Sequence, residues 1–149
     1  EVVTRRLCED WKGHQGRIFL YGDHTGGARG SAKIQGSDWD IIERVLAGSF
    51  RQDQIFNDVR TNPLVKKRIN AMNSRLKAVD GTVRMMIDPE ACPYLVKDLE
   101  GVTILEGSAG EIDKKSSPHL THISDGLGYY VSALFPVEGD KSARIGNLY

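Results

Sequence analysis

The chain has 149 residues, 40% of them hydrophobic and 27% charged, a globular composition that excludes intrinsic disorder, collagen-like repeats and coiled coils. Twenty Lys and Arg balance twenty Asp and Glu, so no net field draws the chain to a polyanion, and any such attraction has to come from local patches. No apolar run approaches the ~20 residues needed to cross a bilayer, the start has no signal-peptide core, and Cys8 and Cys92 are too few for a disulfide framework, which points to a reducing compartment. The length suits one domain with one sizeable core. Because the chain begins at Glu1 rather than Met, it is expected to be part of something longer.

Residues 1–16 are polar and mixed, with Leu7 and Trp11 as anchors, and are expected to form a short helix or lead-in. Residues 17–23 are a near-continuous apolar run ending at Asp23 and followed by Gly26, Gly27 and Gly30, which predicts a buried strand opening into a flexible turn. Residues 39–46 are β-branched and aromatic, as a second strand would be, and residues 55–59 supply a third, giving a meander. A helix follows. Asn62 is its expected cap, Pro63 its first residue, and Val65, Ile69, Met72 and Leu76 its buried stripe. Between Val59 and Val79 there is no acidic residue, whereas Arg60, Lys66, Lys67, Arg68, Arg75 and Lys77 make a local basic segment.

Asp80 and Gly81 mark a turn, and Val83, Met85 and Ile87 alternate with Arg84, Met86 and Asp88 as in a fourth strand that Pro89 ends. Residues 93–99 suggest another helix, residues 102–105 a fifth short strand, and residues 107–118 a polar loop with Lys114 and Lys115. The final helix carries Ile123, Leu127, Tyr130, Val131 and Leu134 on one face and is stopped by Pro136. Residues 138–149 look like a tail.

Three carboxylates stand out by position. Asp23 and Asp88 lie at the exits of two apolar strands, and Asp125 lies on a helix face that Gly126 and Gly128 allow to pack closely. Carboxylates gathered at strand ends repel one another unless a divalent cation neutralises them, and hard oxygen donors suit Mg²⁺ or Mn²⁺. Two such ions about 4 Å apart can activate a water and stabilise the attacking and leaving oxygens at a phosphodiester. Taken singly, an Asp at a strand end is more often a turn former or a cap. His122, three residues before Asp125 and so its helical neighbour, is a candidate to support the metal site or the substrate side, the alternative being a plain cap on a polar helix face. A zinc set of His119, His122 and Asp125 is disfavoured by the angle six residues span on a helix. Arg29 and Lys33 in the glycine-rich turn, Lys66 and Lys67 (with Lys77) on the helix, and Lys114 and Lys115 in the loop are candidate phosphate contacts.

Several segments together resemble a known family: Tyr21-Gly22-Asp23-His24-Thr25-Gly26, the stretch from Asn62-Pro63-Leu64-Val65 to Asn70-Ala71-Met72-Asn73, Ile87-Asp88-Pro89, and Asp113-Lys114-Lys115 leading to Leu120-Thr121-His122-Ile123-Ser124-Asp125-Gly126-Leu127-Gly128-Tyr129. The chain resembles the C-terminal nuclease domain of the large terminase subunit of tailed bacteriophages. That resemblance implies an α/β, RNase H-like fold with a mixed central sheet and flanking helices, forming a single nuclease domain over residues 1–149. It implies that Asp23, Asp88 and Asp125 are the catalytic acids and the ligands of Mg²⁺ or Mn²⁺, two ions in all, of an endonuclease that cuts concatemeric viral DNA during genome packaging with little sequence preference. The implied partners are double-stranded DNA, the terminase ATPase domain, the small terminase subunit and the portal, in the host cell cytoplasm and with no membrane. Lys67 stands where the family suggests an acidic residue, Leu64 replaces a second proline, and Gly126 replaces the usual alanine. Glu90 and Asp38 are alternatives to Asp88 as the second acid. No Gly-x-x-x-x-Gly-Lys-Ser/Thr phosphate loop is present, so the packaging ATPase is expected to lie elsewhere.

Two other classes fit more loosely. Asp23-His24-Thr25-Gly26 matches the Asp-x-Thr-Gly phosphate cradle of actin-like and sugar-kinase-like ATPases, although those enzymes close two related domains on a nucleotide. A non-catalytic RNase H-like docking module is the other, and unpaired buried carboxylates without a metal argue against it.

Overall fold

A computed structural model describes residues 1–27, 36–59, 61–108, 111–113, 115–116 and 119–137. Arg29, Lys33, Arg60, Lys114 and the tail 138–149 lie outside the described residues. Among those described, the chain is mixed α/β, with five α-helices and one two-stranded parallel sheet. It divides into two compact units, Glu1–Thr61 and Asn62–Tyr149. No described helix is long and apolar enough to cross a membrane.

The first unit begins with α1 (Val2–Asp10) and continues into β1 (Ile18–Leu20), a short 3-10 turn (His24–Gly27), α2 (Asp38–Ala47) and β2 (Ile55–Asn57). Residues 39–46, expected as a strand, are therefore helical. The local chemistry explains the correction: Ser37 Oγ accepts from the Asp40 amide at 3.1 Å and Asp40 returns a bond to the Ser37 amide at 2.8 Å, a reciprocal cap that fixes a helix start just before the apolar residues. Ile42, Val45 and Leu46 then recur at helical spacing, and Leu46 is fully buried with Cys8 and Phe50 while Ile18, Leu20 and Ile55 pack against them.

With a helix between them, β1 and β2 pair in parallel, Ile18 opposite Ile55 and Leu20 opposite Asn57, rather than as the expected antiparallel meander. Gln54 clips the two strand starts together. Its Nε2 donates to the Gly16 carbonyl at 3.1 Å while its Oε1 accepts from the Arg51 amide at 3.0 Å. On the other face of the sheet, Phe19 and Phe56 stack with ring centroids 5.3 Å apart.

The second unit consists of α3 (Val65–Leu76), α4 (Pro93–Gly101) and α5 (His122–Leu134). Its α3 starts after Leu64 with no side-chain cap, so Asn62 does not cap it and Pro63 precedes it. Pro93 does open α4, as expected of a residue with preset φ and no amide to satisfy. Ala71, Met72 and Val131 form the buried centre, packed by Leu76, Met85, Leu99 and Leu127.

The expected strand at residues 83–88 is absent. Gly81, at φ +82°, turns the chain, and the amides of Arg84 and Met85 both donate to the Arg75 carbonyl at 2.9 Å, so this segment is tied to the end of α3 instead of to a sheet. The expected strand at residues 102–105 shrinks to one antiparallel bridge between Ile104 and Ile112.

Candidate functional site

In the first unit, β1 delivers Asp23 into the 3-10 turn. Asp23 Oδ1 accepts from both the amide and the hydroxyl of Thr25, each at 2.7 Å, and its carbonyl accepts from the Gly26 amide at 3.1 Å. The same carbonyl accepts from the indole Nε1 of Trp39 at 2.9 Å. The indole lies so close to the turn that a Cβ on Gly22 would come within 2.8 Å of its six-membered ring, and one on Gly26 within 2.9 Å of Nε1. These glycines are thus required by a neighbour, not by flexibility. Asp38, one alternative acid, is the exposed first residue of α2, next to Trp39 in sequence. Asp23 itself is exposed.

In the second unit, Asp125 lies on α5 and Arg68 on α3. Arg68 Nη2 donates to Asp125 Oδ1 at 2.9 Å, with the arginine side chain 5% exposed and the aspartate 21%. The guanidinium also lies over the Tyr129 ring, 4.3 Å from its centroid, and among the described residues its Nε and Nη1 have no hydrogen-bond partner. Two turns along α3, Arg75 repeats the arrangement over Phe135 at 4.1 Å. Two of the six cations of the basic segment are therefore turned inward, Arg68 over Tyr129 of α5 and Arg75 over Phe135 just past its end, while Lys66, Lys67 and Lys77 stay exposed. The buried face of α5 runs through Gly128 and Val131, and Ile123 and Tyr130 from the expected stripe are exposed. A Cβ at Gly128 would meet the Arg68 stem at 3.7 Å, whereas one at Gly126 would meet nothing, so only Gly128 faces a helix neighbour closely.

The start of α5 is set by Asp98, which no local motif marks out. Buried on α4, it accepts from the amides of Thr121, Ile123 and Ser124, each at 3.0 Å, and so caps another helix from outside. Burial pushes its carboxyl upward, but the hydrogen bonds from Ser124, Thr121 and Ile123 outweigh that and leave it below the usual carboxylate range. Thr121 is the one described non-glycine residue with positive φ, at +84°. For a β-branched residue this conformation is strained, and it is held by the Asp98 bond on one side and by the Asp125 amide on the Thr121 carbonyl, 2.8 Å, on the other. Asp98 and Thr121 thereby fix where Asp125 falls on its helix.

Asp88 is exposed and forms a turn ahead of α4, its Oδ1 accepting from the amides of Glu90 at 2.9 Å and Ala91 at 3.2 Å. Glu90 is exposed in the same turn. Lys115 is exposed, and its amide is tied at 3.0 Å to Asp113, whose carboxyl is held low first by the Ser116 hydroxyl. His122 opens α5. Within either unit, among the described residues, no three His, Cys, Asp or Glu side chains gather to hold a metal ion, the His119, His122 and Asp125 set included. Asp23 belongs to the first unit, and Asp88 and Asp125 to the second.

Trp39, Arg68 and Asp98 were the partners missed. Only Trp39 had a signal, the Ser37-x-x-Asp40 box that makes its segment helical. Compared with known protein families, curated proteins and solved structures, the chain matches none.

Proposed function

We propose that this chain is a metal-dependent DNA endonuclease of the kind found in the nuclease domain of tailed-bacteriophage large terminase subunits. Asp23, Asp88 and Asp125 are its acidic ligands, with Glu90 and Asp38 as alternatives to Asp88, and RNase H-like architecture is its proposed fold. The observation that carries the reading is the Asp23 turn. Three residues beyond the end of β1, in a parallel β1–α2–β2 unit, stands an exposed carboxylate whose Oδ1 is fixed by Thr25, on the carboxyl-terminal side of the strand, where α/β sheets collect ligands. Carboxylate donors fit Mg²⁺ or Mn²⁺ by their hardness. When bound, two such ions supply water activation and charge neutralisation at a scissile phosphodiester. The chain's own part is to hold the carboxylates still, through Thr25 at Asp23 and through Arg68 and the Asp98 cap at Asp125. Exposed Lys66, Lys67 and Lys115, with Arg29, Lys33 and Lys114, are proposed to hold DNA by its phosphates, which gives salt-sensitive binding with little base readout.

The ATPase domain, small subunit, portal and host cytoplasm belong to the same proposal. It is tested by nicking of supercoiled plasmid in Mn²⁺ or Mg²⁺. Asp23→Asn and Asp88→Asn are expected to abolish nicking with circular dichroism unchanged, and full activity in both overturns the assignment. Asp125→Asn is a poorer probe, because it also strips the counterion from a buried arginine. That ion pair favours one alternative, a non-catalytic docking module, since Arg68 neutralises Asp125 without a metal. A protein that binds neither Mn²⁺ nor DNA would be assigned to that class.

A further inference from the structure

We propose that Trp39 is a positioning residue for the Asp23 turn, acting on the carboxylate through the backbone that carries it. This rests on Asp23 being a metal ligand. Three independent contacts converge on the point. The indole N–H donates to the Asp23 carbonyl at 2.9 Å, the ring fills the space a Cβ of Gly22 would need, and the indole nitrogen fills that of Gly26. Gly22 and Gly26 flank Asp23 in sequence, so the indole presses on the turn from both sides of the acid while bonding to its centre.

Trp39 is itself fixed, because it is the second residue of a helix whose start is locked by the Ser37 and Asp40 cap. The carbonyl it grips also accepts from the Gly26 amide, and the carboxylate Oδ1 is held by Thr25, so carbonyl and carboxylate of one residue are both pinned. A ligand carboxylate pinned in this way loses little freedom on coordinating an ion, which is how partners outside the coordination sphere raise metal affinity.

The test is Mn²⁺ titration of the full chain by calorimetry, with Asp23→Asn and Trp39→Phe beside the wild type. Trp39→Phe keeps an aromatic ring and removes the N–H. If Asp23→Asn abolishes binding and Trp39→Phe weakens it by about tenfold, the size expected for an outer partner, the positioning role stands. If Asp23→Asn abolishes binding but Trp39→Phe binds like the wild type, the role of Trp39 falls and Asp23 remains a ligand. Wild-type binding by Asp23→Asn removes both.

A second measurement covers the case in which Trp39→Phe does not fold. Trp11 is exposed at the end of α1, so Trp11→Phe leaves Trp39 as the only tryptophan. In that protein Tb³⁺, excited through tryptophan alone, is expected to emit, and Asp23→Asn is expected to remove the emission. Calorimetrically bound Tb³⁺ without sensitised emission contradicts the proposed proximity.

Discussion

Asp23 and Asp125 are the same residue type assigned the same role, yet the two units hold them by different physics. Asp23 is exposed three residues beyond the end of β1 and takes its hydrogen bonds from Thr25, with an indole bracing the backbone behind it. Asp125 is mostly buried and joined to the guanidinium of Arg68, which is itself stacked on an aromatic ring. The glycines follow the same division. Those around Asp23 are required by a neighbouring ring, and Gly126, just after Asp125, faces open space. An exposed acid held by short local bonds can be changed without dismantling the fold, whereas an acid paired with a buried cation is part of the framework. A substitution at Asp23 therefore reports on chemistry, and one at Asp125 reports on chemistry and stability together.

The sharpest way to break this contrast is Arg68→Met. Leaving Asp125 without its cation is expected to cost about 3–5 kcal/mol in urea unfolding. Replacing the pair together, Arg68→Met with Asp125→Leu, is expected to cost less than either single change, because no lone charge stays buried. A loss below about 1 kcal/mol for Arg68→Met would make the pair no stronger than a surface ion pair and erase the distinction.

Next in size is Asp98→Ala, which strands the amides of Thr121, Ile123 and Ser124 and is expected to cost about 1–3 kcal/mol. Its pH dependence has a definite sign. The folded Asp98 carboxyl lies below its unfolded value of about 3.9, so its contribution is fully present above that value and fades as pH falls through the lower folded one. Acid unfolding should accordingly be shallower in Asp98→Ala than in the wild type. Identical slopes would mean that the cap carries no charge.

Much of the fold was legible where the signal was local. The proline that opens α4, the turn at Gly81 and the helix that Pro136 follows were all readable from neighbouring residues, whereas the apolar run 17–23, expected as a buried strand, pairs only over Ile18–Leu20 and leaves Phe19 exposed. The 39–46 segment misled because Ile41, Ile42 and Val45 favour strands by composition, and the Ser37 and Asp40 box, which decides the matter, lies at and before its edge. Arg68 and Asp98 could not be read at all. Each acts on a partner 57 or 23 to 26 residues away, and nothing in a helical sequence separates an arginine that faces solvent from one that stacks under a tyrosine. The basic segment shows the consequence: Lys66, Lys67 and Lys77 are exposed as expected of candidate phosphate contacts, but nothing in the sequence marked Arg68 and Arg75 as the two cations that lie over aromatic rings.

Smaller effects sharpen the glycine half of the comparison. Gly22→Ala forces a carbon to within 2.8 Å of the Trp39 ring and is expected to cost about 1–3 kcal/mol, read as a lower melting temperature. Gly126→Ala adds a methyl to an exposed helical position and is expected to stabilise by about 0.5–1 kcal/mol. Opposite signs at the two positions are the result to look for, and equal losses would mean that the turn and the helix tolerate side chains alike.

The most direct test of the metal assignment is anomalous diffraction from crystals soaked in Mn²⁺. Manganese peaks at coordination distance from the carboxylates of Asp23 and Asp125 are expected, with the Arg68 contact shifted or shared where the ion meets Asp125. Clear density for both carboxylates with no manganese beside either, at a concentration that supports nicking, would contradict it.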